Sequence, residues 1–211
     1  MSDVTDRVDA VRARIGAAAA RAGRDPATVT LVAATKTVDP ARVQEVIDAG
    51  VTDVGENRAQ ELLAKTAVTG CHWHFLGQLQ RNKVKALAPW VTCWQSVDRV
   101  ELGAEIARRA PGARVLVEVN LGEEPQKGGC LPGALPALVE QLRADGLDVA
   151  GLMTVPPHDG DPRRWFATLR GHAATLGLPE LSMGMTDDFE VAVEEGATMV
   201  RVGRALFGDR A

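Results

Sequence analysis

The sequence predicts an α/β fold: a single closed (β/α)8 barrel of the TIM type with one extra helix at its N-terminal end. Two observations point there. Eight short apolar segments are each followed by a helical pattern, and the connections between them are mostly short. A third observation weighs against an open doubly wound sheet: the first strand runs into ATKTVDP, with no G-x-G-x-x-G behind it.

The elements follow in order. From Arg7 to Gly23 the pattern RVDAVRARIGAAAARAG sets Val8, Val11, Ile15 and Ala19 at helical spacing, with Gly23 as the stop. VTLVAATK is the first strand, and a helix over Pro40 to Ala49 follows. VTDVGE precedes a helix from Arg58 to Lys65, and WHFLG precedes RNKVKALA. VTCWQSV leads into Arg99 to Ala110, and ARVLVEVNL into Leu135 to Ala144. LDVAGLMTV is followed by Trp165 to Leu176, LSMGM by Asp188 to Glu195, and TMVRVG by a stub from Arg204 to Phe207. Because that last helix is short, the N-terminal helix is expected to help cover the barrel.

Composition narrows the function. The chain has 211 residues, 45% of them hydrophobic, and shows no linker or charge block, so residues 1–211 are expected to form one domain. A net charge of −4 argues against nucleic acid, whose affinity rests on clustered Lys and Arg. No window reaches the roughly 18 apolar residues of a membrane span, and MSDVTDRVDA is too charged for a secretory signal. Cys71, Cys93 and Cys130 are odd in number and contain no Cys-x-x-Cys pair, as reduced thiols of a cytoplasmic protein would be. A small-molecule partner is the expectation.

In such barrels the active site lies where the strands end. Those ends present Lys36, Glu56 with Asn57, Gly77, Ser96, Asn120, Met153, Met185 with Thr186, and Arg201 with Gly203. Strand alternation means that an inward Lys36 shares its face with Val32 and Ala34, and Arg201 shares one with Met199 and Gly203. The bland reading of Lys36 is a solvated lysine past a strand; that of Arg201 is a core arginine paired with Glu118. Aimed into the mouth and partly desolvated, Lys36 would instead be an amine able to form an imine with a carbonyl compound. Thr186, before Asp187 and Asp188, is a candidate helix N-cap. GMTDD and RVGRALFG occupy the loops after strands seven and eight, a common phosphate site in these barrels. A phosphate there and a lysine on strand one describe a phosphorylated aldehyde.

The segments ATKTVDP, VGENRAQE, WHFLGQLQRNK, LMTVP, LSMGMTDDFEVAVEEGATMVRVG and ALFG resemble the pyridoxal phosphate homeostasis protein family, itself similar to the barrel half of bacterial alanine racemase. The resemblance runs from about Leu31 to Gly208. It implies that Lys36 holds pyridoxal 5'-phosphate as an internal aldimine, that Asn57 and Met153 surround the pyridine ring, and that Arg201 meets the ring nitrogen. It gives the phosphate to Thr186 and to the backbone of Gly203 and Arg204. Thr186 stands where the family usually has serine. Arg204 stands where many members have threonine, so only its amide carries over.

An arginine at the ring nitrogen, with an ordinary pKa above about 12, donates a hydrogen bond but supplies no proton, so the ring stays a weak electron sink. The chain also has no tyrosine, the residue type that serves as the second acid-base group in alanine racemases. The expectation is a carrier or reservoir of the cofactor with no catalytic residues, a monomer whose recipients are pyridoxal-phosphate-dependent apoenzymes. An amino-acid racemase and a Schiff-base aldolase are the alternatives. CHWH at Cys71 to His74 matches no common zinc motif, so no metal site is expected, and His74 reads as a barrel residue. Arg81, Lys83 and Lys85 form a basic cluster, either a solvated face or a docking patch. Lys127 in PQKGG lies on a glycine-rich loop, either mobile surface or a second cofactor contact.

Overall fold

The computed structural model describes residues 3–157 and 160–208. Eight parallel strands close in sequence order into a barrel: β1 Thr30–Ala34, β2 Asp53–Glu56, β3 His72–Phe75, β4 Val91–Val97, β5 Arg114–Glu118, β6 Asp148–Met153, β7 Glu180–Ser182 and β8 Met199–Val202. Around them lie α1 Asp3–Arg21, α2 Pro40–Asp48, α3 Ala59–Ala64, α4 Val84–Leu87, α5 Val100–Arg109, α6 Leu135–Ala144, α7 Arg163–Thr175, α8 Phe189–Glu194 and α9 Arg204–Phe207. The expected barrel is therefore the observed one.

Local chemistry explains the element ends. Asp39 caps α2 by accepting from the Ala41 amide at 2.9 Å, and Pro40 fills the first turn, where no amide is needed. RNKVKALA forms a 3₁₀ turn over Arg81–Lys83 and one α turn, before Pro89 stops the helix. Within LSMGM the regular strand ends at Ser182, although the Met183 amide still donates to the Met199 carbonyl at 3.1 Å and the Arg201 amide to the Gly184 carbonyl at 3.0 Å, so pairing with β8 carries the chain toward α8.

The larger core lies between barrel and helices, where Trp94, Phe75, Phe166 and Phe189 are fully buried. A smaller apolar cluster of Val32, Cys93, Leu116, Ala150, Met153 and Met199 fills the barrel interior. It holds Val32, Met199 and Met153 inside, as alternation requires. The rest of the interior is polar.

Helix α1 packs against α2, α8 and α9, and so covers the seam that the short α9 leaves open. Arg14 pairs with Glu190 at 3.0 Å and Arg21 with Glu194 at 2.7 Å, while Arg24 donates to the Val193 and Ala197 carbonyls. Among the described residues, no helix is long and apolar enough to cross a membrane.

Candidate cofactor site

At the C-terminal end of the barrel, β1 and β8 lie side by side with Val32 opposite Arg201, so their loops meet. Lys36 sits two residues past β1 in a turn closed by the Val38 amide on the Thr35 carbonyl, 3.0 Å away. The next residue, Thr37, takes φ 63°, a left-handed conformation that costs a β-branched residue about 1–3 kcal/mol. Glu61 holds it there, accepting from the Thr37 amide at 2.7 Å. β1 ends at Ala34, and Lys36 is exposed.

Beneath that turn lies a buried ion pair. Lys65 donates to Glu56 at 2.5 Å and to the Thr35 carbonyl at 2.7 Å, and the Thr35 hydroxyl donates to Glu56 at 2.7 Å. Glu56 was expected at the mouth with Asn57. Alternation gives the inward face of β2 to Asp53, Gly55 and Asn57, so Glu56 points outward toward α3 and is fully buried.

Arg201 is buried inside the barrel end. Its Nη1 donates to Ser182 Oγ at 2.7 Å and its Nη2 to the Thr154 carbonyl at 2.8 Å. The proposed pairing with Glu118 does not form: among the described residues Arg201 makes no ion pair within 4.0 Å, although Glu118 and Asp188 both act on it electrostatically. Burial pushes the guanidinium down to about 10, below the value expected from sequence, yet it remains charged at neutral pH. Burial also raises Asp188 and drives Glu118 up to about 7, Asp98 adding repulsion and Arg201 opposing it.

The other expected residues divide by position. Met153 closes the barrel interior beside Ser182, its register partner. Gly203 lies against β1: a Cβ on it would be 3.1 Å from the Ala34 carbonyl oxygen, so a side chain would crowd the end of β1. Arg204 is exposed and its guanidinium pairs with Asp187, joining the loops after β7 and β8. Thr186 lies in the turn before α8 but does not cap it. Asp188 takes that position and accepts from the Met185 amide at 2.6 Å. Asn57 lines a cavity of about 400 Å³ on the β2 to β4 side, together with Arg58, Gln78, Lys83 and Arg99.

Three further strand-end expectations serve the scaffold. Ser96 donates to the Gly77 carbonyl at 2.6 Å, and Asn120 brackets Glu124 within its own loop. Lys127 is tied down, with Nζ 2.6 Å from Glu124 and 3.1 Å from the Pro156 carbonyl. Arg81 and Lys85 are exposed, whereas Lys83 lines the cavity beside Asn57. His74 lies inside the barrel, 3.0 Å from Asp53. Sequence reasoning missed Ser182, Thr154 and Gln95, whose signal was polar character at inward positions of apolar strands.

The donor-rich mouth suits an anionic ligand: a buried cation with donors to spare, a glycine against β1, and short loops whose first helical amides have no intrahelical acceptor.

Residues 7–211 match the alanine racemase N-terminal domain family. The chain is 46% identical to the pyridoxal phosphate homeostasis protein of Deinococcus radiodurans, over 95% of this chain and 99% of that one. It superposes on PipY of Synechococcus elongatus PCC7942, a structure with PLP bound, at TM-score 0.86 and 32% identity, covering 98% of this chain and 100% of that one. Alanine racemase of Corynebacterium glutamicum shares the fold at TM-score 0.70 and 16% identity, with 96% of this chain matching 61% of that one.

Proposed function

The chain belongs to the alanine racemase N-terminal domain family and, within it, to the pyridoxal phosphate homeostasis proteins; from that premise we propose that it binds pyridoxal 5'-phosphate and serves as a carrier or reservoir of it. The observation that carries this reading is Arg201, a buried charged donor held at the barrel mouth beside the strand that leads to Lys36.

When bound, the cofactor supplies an aldehyde that an amine holds reversibly with loss of water, and a phosphate. Lys36 is the amine in this reading, and its exposed turn suits a site that must load and release. Arg201 would meet the ring nitrogen and donate to it without giving up a proton. Met153 and Asn57 would lie beside the ring. Thr186, with the amides of Gly203 and Arg204, takes the phosphate, while the Arg204 side chain stays with Asp187. The reading assigns no catalytic residue and no metal. It places a monomeric protein in the cytoplasm, in keeping with three free cysteines, with pyridoxal-phosphate-dependent apoenzymes as recipients.

One observation favours a second reading, an amino-acid racemase. Glu118 ends β5 opposite Met153 and lies within electrostatic reach of Arg201, and burial raises its carboxyl, so a protonatable group stands near the proposed ring site. Incubation with amino acids in D₂O separates the two, since only the racemase exchanges the α-hydrogen.

The first test is the visible spectrum of protein supplied with pyridoxal phosphate, then borohydride reduction and peptide mapping. The adduct is expected on the peptide holding Lys36, and Lys36→Ala should lose it. Retention of a reduced adduct by Lys36→Ala would refute the assignment. A colourless protein that takes up no cofactor would leave the aldolase-type imine barrel as the reading to pursue.

A further inference from the structure

The polar interior of the barrel forms one continuous chain. Starting at the mouth, Arg201 Nη1 donates to Ser182 Oγ at 2.7 Å, and Ser182 donates to Gln95 Oε1 at 2.6 Å. Gln95 Nε2 lies 2.7 Å from His74 Nδ1, and His74 Nε2 lies 3.0 Å from Asp53 Oδ1. Ser182 and Gln95 have no solvent exposure, while His74 and Arg201 have 4% and 5%. The chain spans five strands and reaches Asp53, which lines a cavity of about 420 Å³ at the opposite end of the barrel.

The observed geometry gives it a single polarity. A guanidinium only donates, so Ser182 must accept from Arg201 and has a single proton left to give. That proton fixes the Gln95 carbonyl oxygen toward Ser182 and turns the Gln95 amino group to His74. His74 Nδ1 must then accept, which leaves the hydrogen on Nε2 to be donated to the carboxylate of Asp53. The sequence begins on a group that cannot accept and ends on one that cannot donate.

We propose that Asp53, His74, Gln95 and Ser182 are positioning residues that fix the Arg201 guanidinium at the mouth through this one-way relay, so that the cofactor end of the barrel is set in part from its opposite end. Two of the five N–H groups of Arg201 are held by Ser182 and Thr154, which leaves the others for a ligand. Without the relay, the pull of Glu118 and Asp188 is free to draw the guanidinium aside. The consequence for cofactor binding rests on the reading of Arg201 given above; the coupling itself does not.

The test therefore has two readouts. In ligand-free protein, the Arg201 Nε–H resonance, assigned with Arg201→Lys, is followed by ¹⁵N NMR. Asp53→Asn at the far end and Ser182→Ala at the near end should both move it, whereas His72→Gln, which changes an exposed neighbour of Asp53, should not; Ser182→Thr, which keeps the hydroxyl, should restore part of the shift that Ser182→Ala causes. With pyridoxal phosphate added, Asp53→Asn and Ser182→Ala should weaken binding about fivefold or more and alter the pH profile of its visible band, with His72→Gln within about twofold of the parent. An Arg201 resonance unmoved by Asp53→Asn overturns the relay. Coupling in the ligand-free protein without uptake of the cofactor by the parent would uphold the relay and refute the reading of the site.

Discussion

Substituting Lys65→Met tests the ion pair under the Lys36 turn most directly. Lys65 and Glu56 side chains are 6% and 0% exposed, and Glu56 Oε2 already lacks a hydrogen-bond partner. Removing the ammonium strips Glu56 of its charged partner and the Thr35 carbonyl of its donor, leaving only the Thr35 hydroxyl on a buried carboxylate. Breaking a buried pair from one side costs about 3–5 kcal/mol, against a whole-domain stability of about 5–15 kcal/mol. For a domain of this size that lowers Tm by roughly 6–20 °C. Urea and thermal unfolding followed by circular dichroism measure both. Removing the stranded charge as well, in Glu56→Gln with Lys65→Met, should restore at least half of the loss. A single variant within about 1 kcal/mol of the parent, or a double variant no better than the single, would refute the reasoning.

Three other outcomes are expected. Because Glu118 is raised from 4.5 to about 7, its contribution to stability is fully present below pH 4.5 and lost as pH rises through 7, roughly 3 kcal/mol in all; urea titrations from pH 5 to 8 should show this loss in the parent and a flatter curve in Glu118→Gln. Burial pushes the Cys93 and Cys130 thiols to about 12 and Cys71 to about 11, so a chromogenic disulfide reagent at pH 8 should label the folded protein at least about tenfold more slowly than the unfolded chain. A Cβ at Gly77 would fall 2.1 Å from the Asn57 carbonyl oxygen, so Gly77→Ala should cost about 1–3 kcal/mol in urea unfolding and displace Asn57.

The fold was legible because each β-α unit carries its own period. Val32, Met153, Met199 and Arg201 face inward as alternation requires, and α1 closes the seam beside α9 as the shortness of α9 demands. The same alternation, applied strictly, would have turned Glu56 outward, since it cannot share a face with Asn57. Exposure at the strand ends was harder to read. Lys36 escapes burial because β1 stops at Ala34 and Thr37 adopts a left-handed turn held by Glu61, a contact across 24 residues. Lys65 carries no local mark of its pairing with Glu56. The relay did leave a signal in His74, Gln95 and Ser182, polar residues on apolar strands, but their order appears only once β4 and β7 are brought across the same interior.

The seam between α1 and α8 also bears on how the chain is made. Arg14 meets Glu190 across 176 residues, and β1 finds its second neighbour only in β8. During synthesis at about 5–20 residues per second, the first strand waits roughly ten to thirty seconds for the partner that closes the ring. Until then β1 has an open edge, and α1 has no α8 to lie on. Nascent chains stalled before Met199 should therefore be protease-sensitive throughout, while release of the last strand closes the whole barrel in one step.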